Sequence, residues 1–193
     1  KMLDGAINKI EIGDPRLLKT DIGPVIDKDS KDMINNHLKK NSKNIISQTK
    51  IEKDLKGNFV NPTIIKIDEL NDVKEEIFGP IIHVMKYKSL ELEKLVNDIN
   101  KLNYGLTLGI QSRIDNTINY IFNNVKVGNV YINRNIVGAV VGVQPFGGRG
   151  LSGSGAKAGG PNYLIQFVNE KTFTYNTTAA GGNASLMMLE ENK

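Results

Sequence analysis

The chain has 193 residues, 39% apolar and 24% charged, a composition with material for a real core and unlike that of collagenous or disordered chains. It contains no cysteine and two histidines, which excludes disulfide scaffolds, cysteine zinc sites, iron–sulfur clusters and a thiolate nucleophile within the chain, and leaves almost nothing for a histidine metal site or a Ser-His-Asp relay. The net charge of +4 comes from lysines interleaved with acids along the whole length, so charge gives no case for a nucleic-acid partner, and no run approaches the roughly 18 apolar residues of a membrane-spanning helix.

Residues 2–10 read as the end of an amphipathic helix, with Leu3, Ile7 and Ile10 in phase, stopped by Gly13-Asp14-Pro15. The helix opens uncapped, as expected of a chain cut from something longer. The N-terminal residues lack a secretory pattern, and a cytoplasmic location is expected. An extended connection rich in Pro, Gly and Asp follows. Ser30 is then placed to cap a helix in which Met33, Ile34, His37 and Leu38 share a face, with Lys39, Lys40 and Lys43 at its C-terminal end. His37 is expected to be an exposed helix residue.

Residues 45–49, 59–67 and 81–87 read as strands, the first two split by a Lys-Gly-Asn turn at 56–58. His83, inside the third, is expected to be a packing residue. Ser89 opens a helix carrying Leu92, Leu95, Val96, Ile99 and Leu102 on one face. Residues 105–112 form the next strand, Asp115 caps a helix with Ile118, Ile121, Phe122 and Val125 on one side, and residues 128–133 are again a strand. This alternation predicts an α/β fold with parallel pairing and right-handed crossovers. Nine of the 19 glycines then fall between Gly138 and Gly160, in a stretch fit for a functional loop on a rigid scaffold. Residues 163–175 read as a β-rich strand able to add to a sheet edge, and a small-residue tail closes the chain.

Three patterns bear on chemistry. Gly148 to Gly153 satisfies G-x-G-x-x-G, but the residues that follow, Ser-Gly-Ala-Lys-Ala-Gly-Gly-Pro, cannot open the helix whose amides would meet a pyrophosphate, so the dinucleotide fingerprint is rejected. In EEIFGP at 75–80, a carboxylate beside an aromatic, held by a Gly-Pro turn, can accept both hydroxyls of a ribose while the ring lies against the attached heterocycle. The alternative is a solvated helix start with a buried core phenylalanine. In GAVVGVQPFGG at 138–148, small residues let backbone amides approach a carboxylate, with Phe146 over the ligand's apolar stem. The alternative there is a tight structural loop.

IGDP at 12–15, TDIGPVID at 20–27, EEIFGP and YGLT at 104–107, in this order, resemble the C-terminal half of the aldehyde dehydrogenase catalytic region. VGAVVGVQPFGG at 137–148 with KAGGP at 157–161 resembles the substrate anchor loop of the glutamate γ-semialdehyde (1-pyrroline-5-carboxylate) dehydrogenases, and NTTAAGGNAS at 176–185 resembles the bifunctional bacterial PutA family. The resemblance implies a partial catalytic domain over 1–160, with its anchor loop at about 136–150, and an oligomerisation-type strand and tail over 161–193. By the same resemblance Glu76 would bind the nicotinamide ribose of NAD and Phe78 would pack near the nicotinamide. The amides of Gly138 and Ala139 would hold the substrate α-carboxylate, and Phe146 would border its aliphatic chain.

The family's nucleophilic cysteine, general-base glutamate and NAD-binding domain lie upstream of the position that aligns with Lys1. The chain therefore has no catalytic or metal-ligating residue to offer, and it is expected to be silent by itself. The implied partners are the missing N-terminal half, glutamate γ-semialdehyde and further copies in a homo-oligomer. FAD enters only if a proline dehydrogenase domain belongs to the parent. The competing expectation is a non-catalytic interaction or oligomerisation module.

Overall fold

Residues of the expected second strand are among the most deeply buried described residues: Thr63 and Ile65 are fully buried and Ile64 nearly so in the computed structural model. The structure describes residues 1–51, 54–140, 142–176 and 179. Its elements are α1 (Met2–Ile7), α2 (Lys28–Lys40), β1 (Ile45–Gln48), β2 (Thr63–Lys66), β3 (Ile81–Val84), α3 (Leu92–Lys101), β4 (Tyr104–Gly105), β5 (Thr107–Ile110), α4 (Asp115–Asn124), β6 (Asn129–Ile132) and β7 (Arg149–Gly150), with short 3-10 turns between some of them. Among the described residues no helix is long and apolar enough to cross a membrane.

β2 is central in a sheet of order β1-β2-β3, antiparallel to β1 across a bulge between Ile45 and Ser47, and parallel to β3 from Thr63 opposite Ile81 to Lys66 opposite Val84. α2 lays Ile34 and Leu38 over this sheet, where they meet Val60, Ile65 and Ile67 in the main core, with Ile77, Ile81 and Met85 packed at its margin. A second parallel pair, β5 and β6, is joined through α4 as a β-α-β unit. The two-residue strands β4 and β7 pair antiparallel. The fold is α/β as expected, but the described ladders are three separate sheets of mixed sense instead of one parallel run.

Four expectations about where elements begin, end or break need correction. The first helix ends at Ile7, three residues early. The second is capped by Asp27, whose side chain accepts from the Ser30 amide at 2.7 Å while its own backbone is extended. Ser30 is thus the third helical residue, and its amide receives the cap. Likewise Asp115 is the first residue of α4, not its cap. The run 105–112 breaks after Gly105 into β4 and β5, because Gly105 lies so close to the backbone of Lys126 and Arg149 that any side chain would collide.

The expected strand at 163–175 is absent. Leu164–Phe167 is a 3-10 turn, and residues 168–176 have no ladder. A strand exists only through a neighbour that completes its hydrogen bonds, and no described strand of this chain lies beside this one. The small-residue tail lies outside the described residues except at 176 and 179.

Candidate functional site

β6 alternates outward and inward, and the residues it turns inward, Asn129 and Tyr131, are both buried. Asn129 Nδ2 donates to the Pro145 carbonyl at 3.2 Å, and the Gly147 amide donates to Asn129 Oδ1 at 3.3 Å. The Tyr131 hydroxyl donates to the Gly138 carbonyl at 3.2 Å. The Arg134 guanidinium sits over the Tyr131 ring, 4.8 Å from its centroid. Further along, Phe146 and Ala158 exchange backbone hydrogen bonds at 3.1 and 3.0 Å, and the Lys157 ammonium donates to the Gly128 carbonyl. Gly128 must be glycine, since a Cβ there would strike the Gly147 carbonyl.

The glycine-rich loop is therefore pinned at its base and open at its apex. Val137 and Val143 are largely exposed, as are Gly138 and Ala139. Gly138 sits at φ +50, in the left-handed region, and a Cβ on it would meet nothing within 4 Å. The amides of Gly138 and Ala139 donate to no described residue. Two adjacent unspent N–H groups on an exposed bend are the elements of a carboxylate-accepting nest. Phe146 is half-buried in the same loop. Val141, part of the same sequence pattern, lies outside the described residues.

Glu76 and Phe78 flank Ile77, which packs at the core margin and so turns both neighbours outward. The turn is fixed by Gly79 N–H donating to Ile77 O at 3.0 Å, Ile81 N–H to Gly79 O at 2.8 Å and Thr63 N–H to Pro80 O at 3.0 Å. Phe78 is 70% exposed. No helix starts here and the phenylalanine is not a core residue, so the alternative of a solvated helix start with a buried ring fails. Glu76 is exposed and makes no hydrogen bond or ion pair with any described residue. An apolar cleft of about 220 Å³, lined by Leu3, Ile7, Ile10, Ile64, Pro80 and Ile82 among others, opens beside this turn.

Gly138, Ala139 and Phe146 are thus brought together on one loop, and Glu76 and Phe78 on one turn. The turn leads into β3 and the loop leaves β6, strands of different sheets, and no hydrogen bond among the described residues joins the two groups. The G-x-G-x-x-G stretch forms β7 and then a turn, with no helix to carry a phosphate site.

Sequence reasoning missed two residues and one pairing. Asn129 and Tyr131 were legible only as strand residues, although an asparagine on the inward face just before a glycine-rich loop is a signal for a backbone clamp. The third miss is a pairing: His37, expected to be exposed, meets His83, with Nε2 atoms 2.9 Å apart and the rings edge to face. Burial holds both imidazoles below their ordinary pKa; Glu75 partly offsets this at His37, whereas Lys40 adds to it. No group of three or more metal-ligating side chains occurs among the described residues.

Residues 1–173 match the aldehyde dehydrogenase family. The chain is 47% identical over 178 residues to the bifunctional protein PutA of Klebsiella aerogenes, covering 88% of this chain and 14% of that protein. To the 1-pyrroline-5-carboxylate dehydrogenase of Geobacillus sp. it is 37% identical over 167 residues, 85% of this chain and 32% of that one. Among solved structures, a Bradyrhizobium japonicum proline utilization A variant superposes with a TM-score of 0.84 at 47% identity, over 93% of this chain and 18% of that one. A Thermus 1-pyrroline-5-carboxylate dehydrogenase solved with bound NAD gives a TM-score of 0.73 at 32% identity, over 84% and 32%. The chain thus spans 14% of the length of the Klebsiella relative and 32% of the Geobacillus one.

Proposed function

We propose that this chain, which belongs to the aldehyde dehydrogenase family, is a segment of an NAD-dependent glutamate γ-semialdehyde dehydrogenase of proline catabolism. In this reading residues 1–160 close the catalytic domain around cofactor and substrate, and residues 161–193 serve assembly. The observation that carries it is the pinned loop with open amides at Gly138 and Ala139, in a chain 47% identical to a PutA protein.

The residues fit their ligands. The α-carboxylate of the substrate would accept from the Gly138 and Ala139 amides, with Phe146 against the methylene chain, placing the aldehyde away from the loop. Glu76, a carboxylate with no described partner, would accept from the hydroxyls of the nicotinamide ribose, and the exposed ring of Phe78 would lie near the nicotinamide. The chemistry that NAD would supply here is that of a hydride acceptor, the loss of hydride from the substrate carbon being the oxidation. This chain supplies binding and orientation but no thiol, so a nucleophile must come from elsewhere in the parent. FAD is relevant only to a proline dehydrogenase domain joined to that parent.

Two measurements test the reading. The isolated 193-residue chain, given NAD and glutamate γ-semialdehyde, should show no turnover above buffer, and turnover would overturn the segment reading. The full-length protein should oxidise the semialdehyde in preference to a carboxylate-free aldehyde of similar length such as pentanal, and equal rates would overturn the loop assignment.

A second reading is favoured by the exposed apolar side chains of Leu164, Ile165, Phe167, Val168 and Phe173. On it, the chain is an interaction or oligomerisation module whose C-terminal segment completes a sheet in another copy.

A further inference from the structure

We infer that Tyr131 and Asn129 are positioning residues that aim the loop's amides and set its width, an inference that rests on the carboxylate-binding reading of that loop. The two side chains stand two residues apart on one strand, so both leave the same face of β6, and both are buried. Tyr131 takes the outgoing limb of the loop and Asn129 the returning one.

The Tyr131 contact does more than tether. The carbonyl of Gly138 and the amide of Ala139 belong to one peptide unit, which is planar and trans, so C=O and N–H point in opposite directions. When the buried hydroxyl fixes the carbonyl toward the strand, the Ala139 N–H is turned away from it, toward solvent and ligand. The same hydrogen bond polarises the peptide and strengthens that N–H as a donor. Asn129 meanwhile holds Pro145 and Gly147, the two neighbours of Phe146, with one donor and one acceptor. Phe146 is thereby fixed on both sides, and its distance from the amide pair is set by a single strand. A substrate reaching from carboxylate to aldehyde is measured against that spacing.

The test uses the full-length dehydrogenase with Tyr131→Phe, which removes one oxygen and keeps the ring, and Asn129→Ser. Each variant should lower the ratio of kcat/KM for glutamate γ-semialdehyde to kcat/KM for pentanal by about five- to tenfold, the worth of one buried hydrogen bond, through KM for the carboxylated substrate. KM for NAD should stay constant. A loss shared equally by both aldehydes, or no loss, overturns the inference. If the unmodified enzyme itself does not prefer the carboxylated aldehyde, the reading of the preceding subsection fails, and amide exchange then decides the clamp. Exchange at Gly147 should speed in Asn129→Ser, and exchange at Val143 and Gln144, whose amides close the loop on the Val140 carbonyl, should speed in Tyr131→Phe. Unchanged exchange overturns the clamp.

Discussion

At His37 and His83 a single proton decides whether two elements attract or repel. With Nε2 atoms at 2.9 Å, one ring must donate and the other accept, so the two imidazoles hold opposite tautomers and the contact exists only while at least one ring is neutral. Burial lowers both from the ordinary value of 6.5. Because the unfolded chain then binds more protons than the folded one, this stabilisation is complete above pH 6.5 and is lost as the pH falls below it. The melting temperature of the chain should therefore drop between pH 7.5 and 5, and His37→Gln should flatten that dependence. An equal slope in the variant would refute the pairing. Glu76 makes the opposite kind of prediction, since it is exposed and no described residue bonds to it. On the proposed function, Glu76→Gln in the full-length protein should leave stability unchanged and raise KM for NAD about tenfold or more, the scale of a hydrogen bond to a charged group; an unchanged KM would overturn the proposed cofactor role of Glu76.

At the level of elements, the link between core and site runs through α2. Ile34 is fully buried and abuts Gly79, where a Cβ would press into the end of its side chain. The turn presenting Phe78 is thus seated on the same isoleucine that anchors the helix to the sheet. Ile34→Ala should cost about 2–5 kcal/mol in the unfolding free energy of the chain. Asp27→Ala should lower the melting temperature by less, because it removes a solvent-facing cap and no packing. If the order is reversed, the helix is held by its cap and not by its buried face.

Of the face read as Met33, Ile34, His37 and Leu38, the two buried members were legible because a 3.6-residue period needs no knowledge of the partner, whereas Met33 is 40% exposed. The cap was not, because Asp27 and Ser30 both suit the role and only backbone dihedrals separate them. β4 and β7 were hidden for another reason: two-residue strands carry no period, and their pairing, Tyr104 opposite Gly150 and Gly105 opposite Arg149, is made across the fold. The loop at 138–148 was visible from composition, whereas the Asn129 clamp is a long-range contact that composition does not record.

Across the whole molecule, burial and exposure divide unevenly. The sheet under α2 is packed as a core, whereas between Tyr163 and Tyr175 the large apolar side chains face solvent: Leu164 is 75% exposed, Phe167 70% and Phe173 81%. Local ring contacts, Tyr163 edge to face with Phe167 and Phe173 stacked on Tyr175, cover only part of this surface. A contiguous apolar stretch with unpaired backbone is a template for another strand, because pairing would bury the side chains and satisfy the amides together. The isolated chain should accordingly associate as its concentration rises, with a weight-average mass above 21.3 kDa in sedimentation equilibrium. Phe167→Asp combined with Phe173→Asp should return it toward the monomer mass while leaving the α2 core intact by far-ultraviolet dichroism. Association that persists unchanged in the double variant would move the interface elsewhere, most directly to the apolar cleft beside Pro80 and Ile82, which Leu3, Ile7, Ile10 and Ile64 also line.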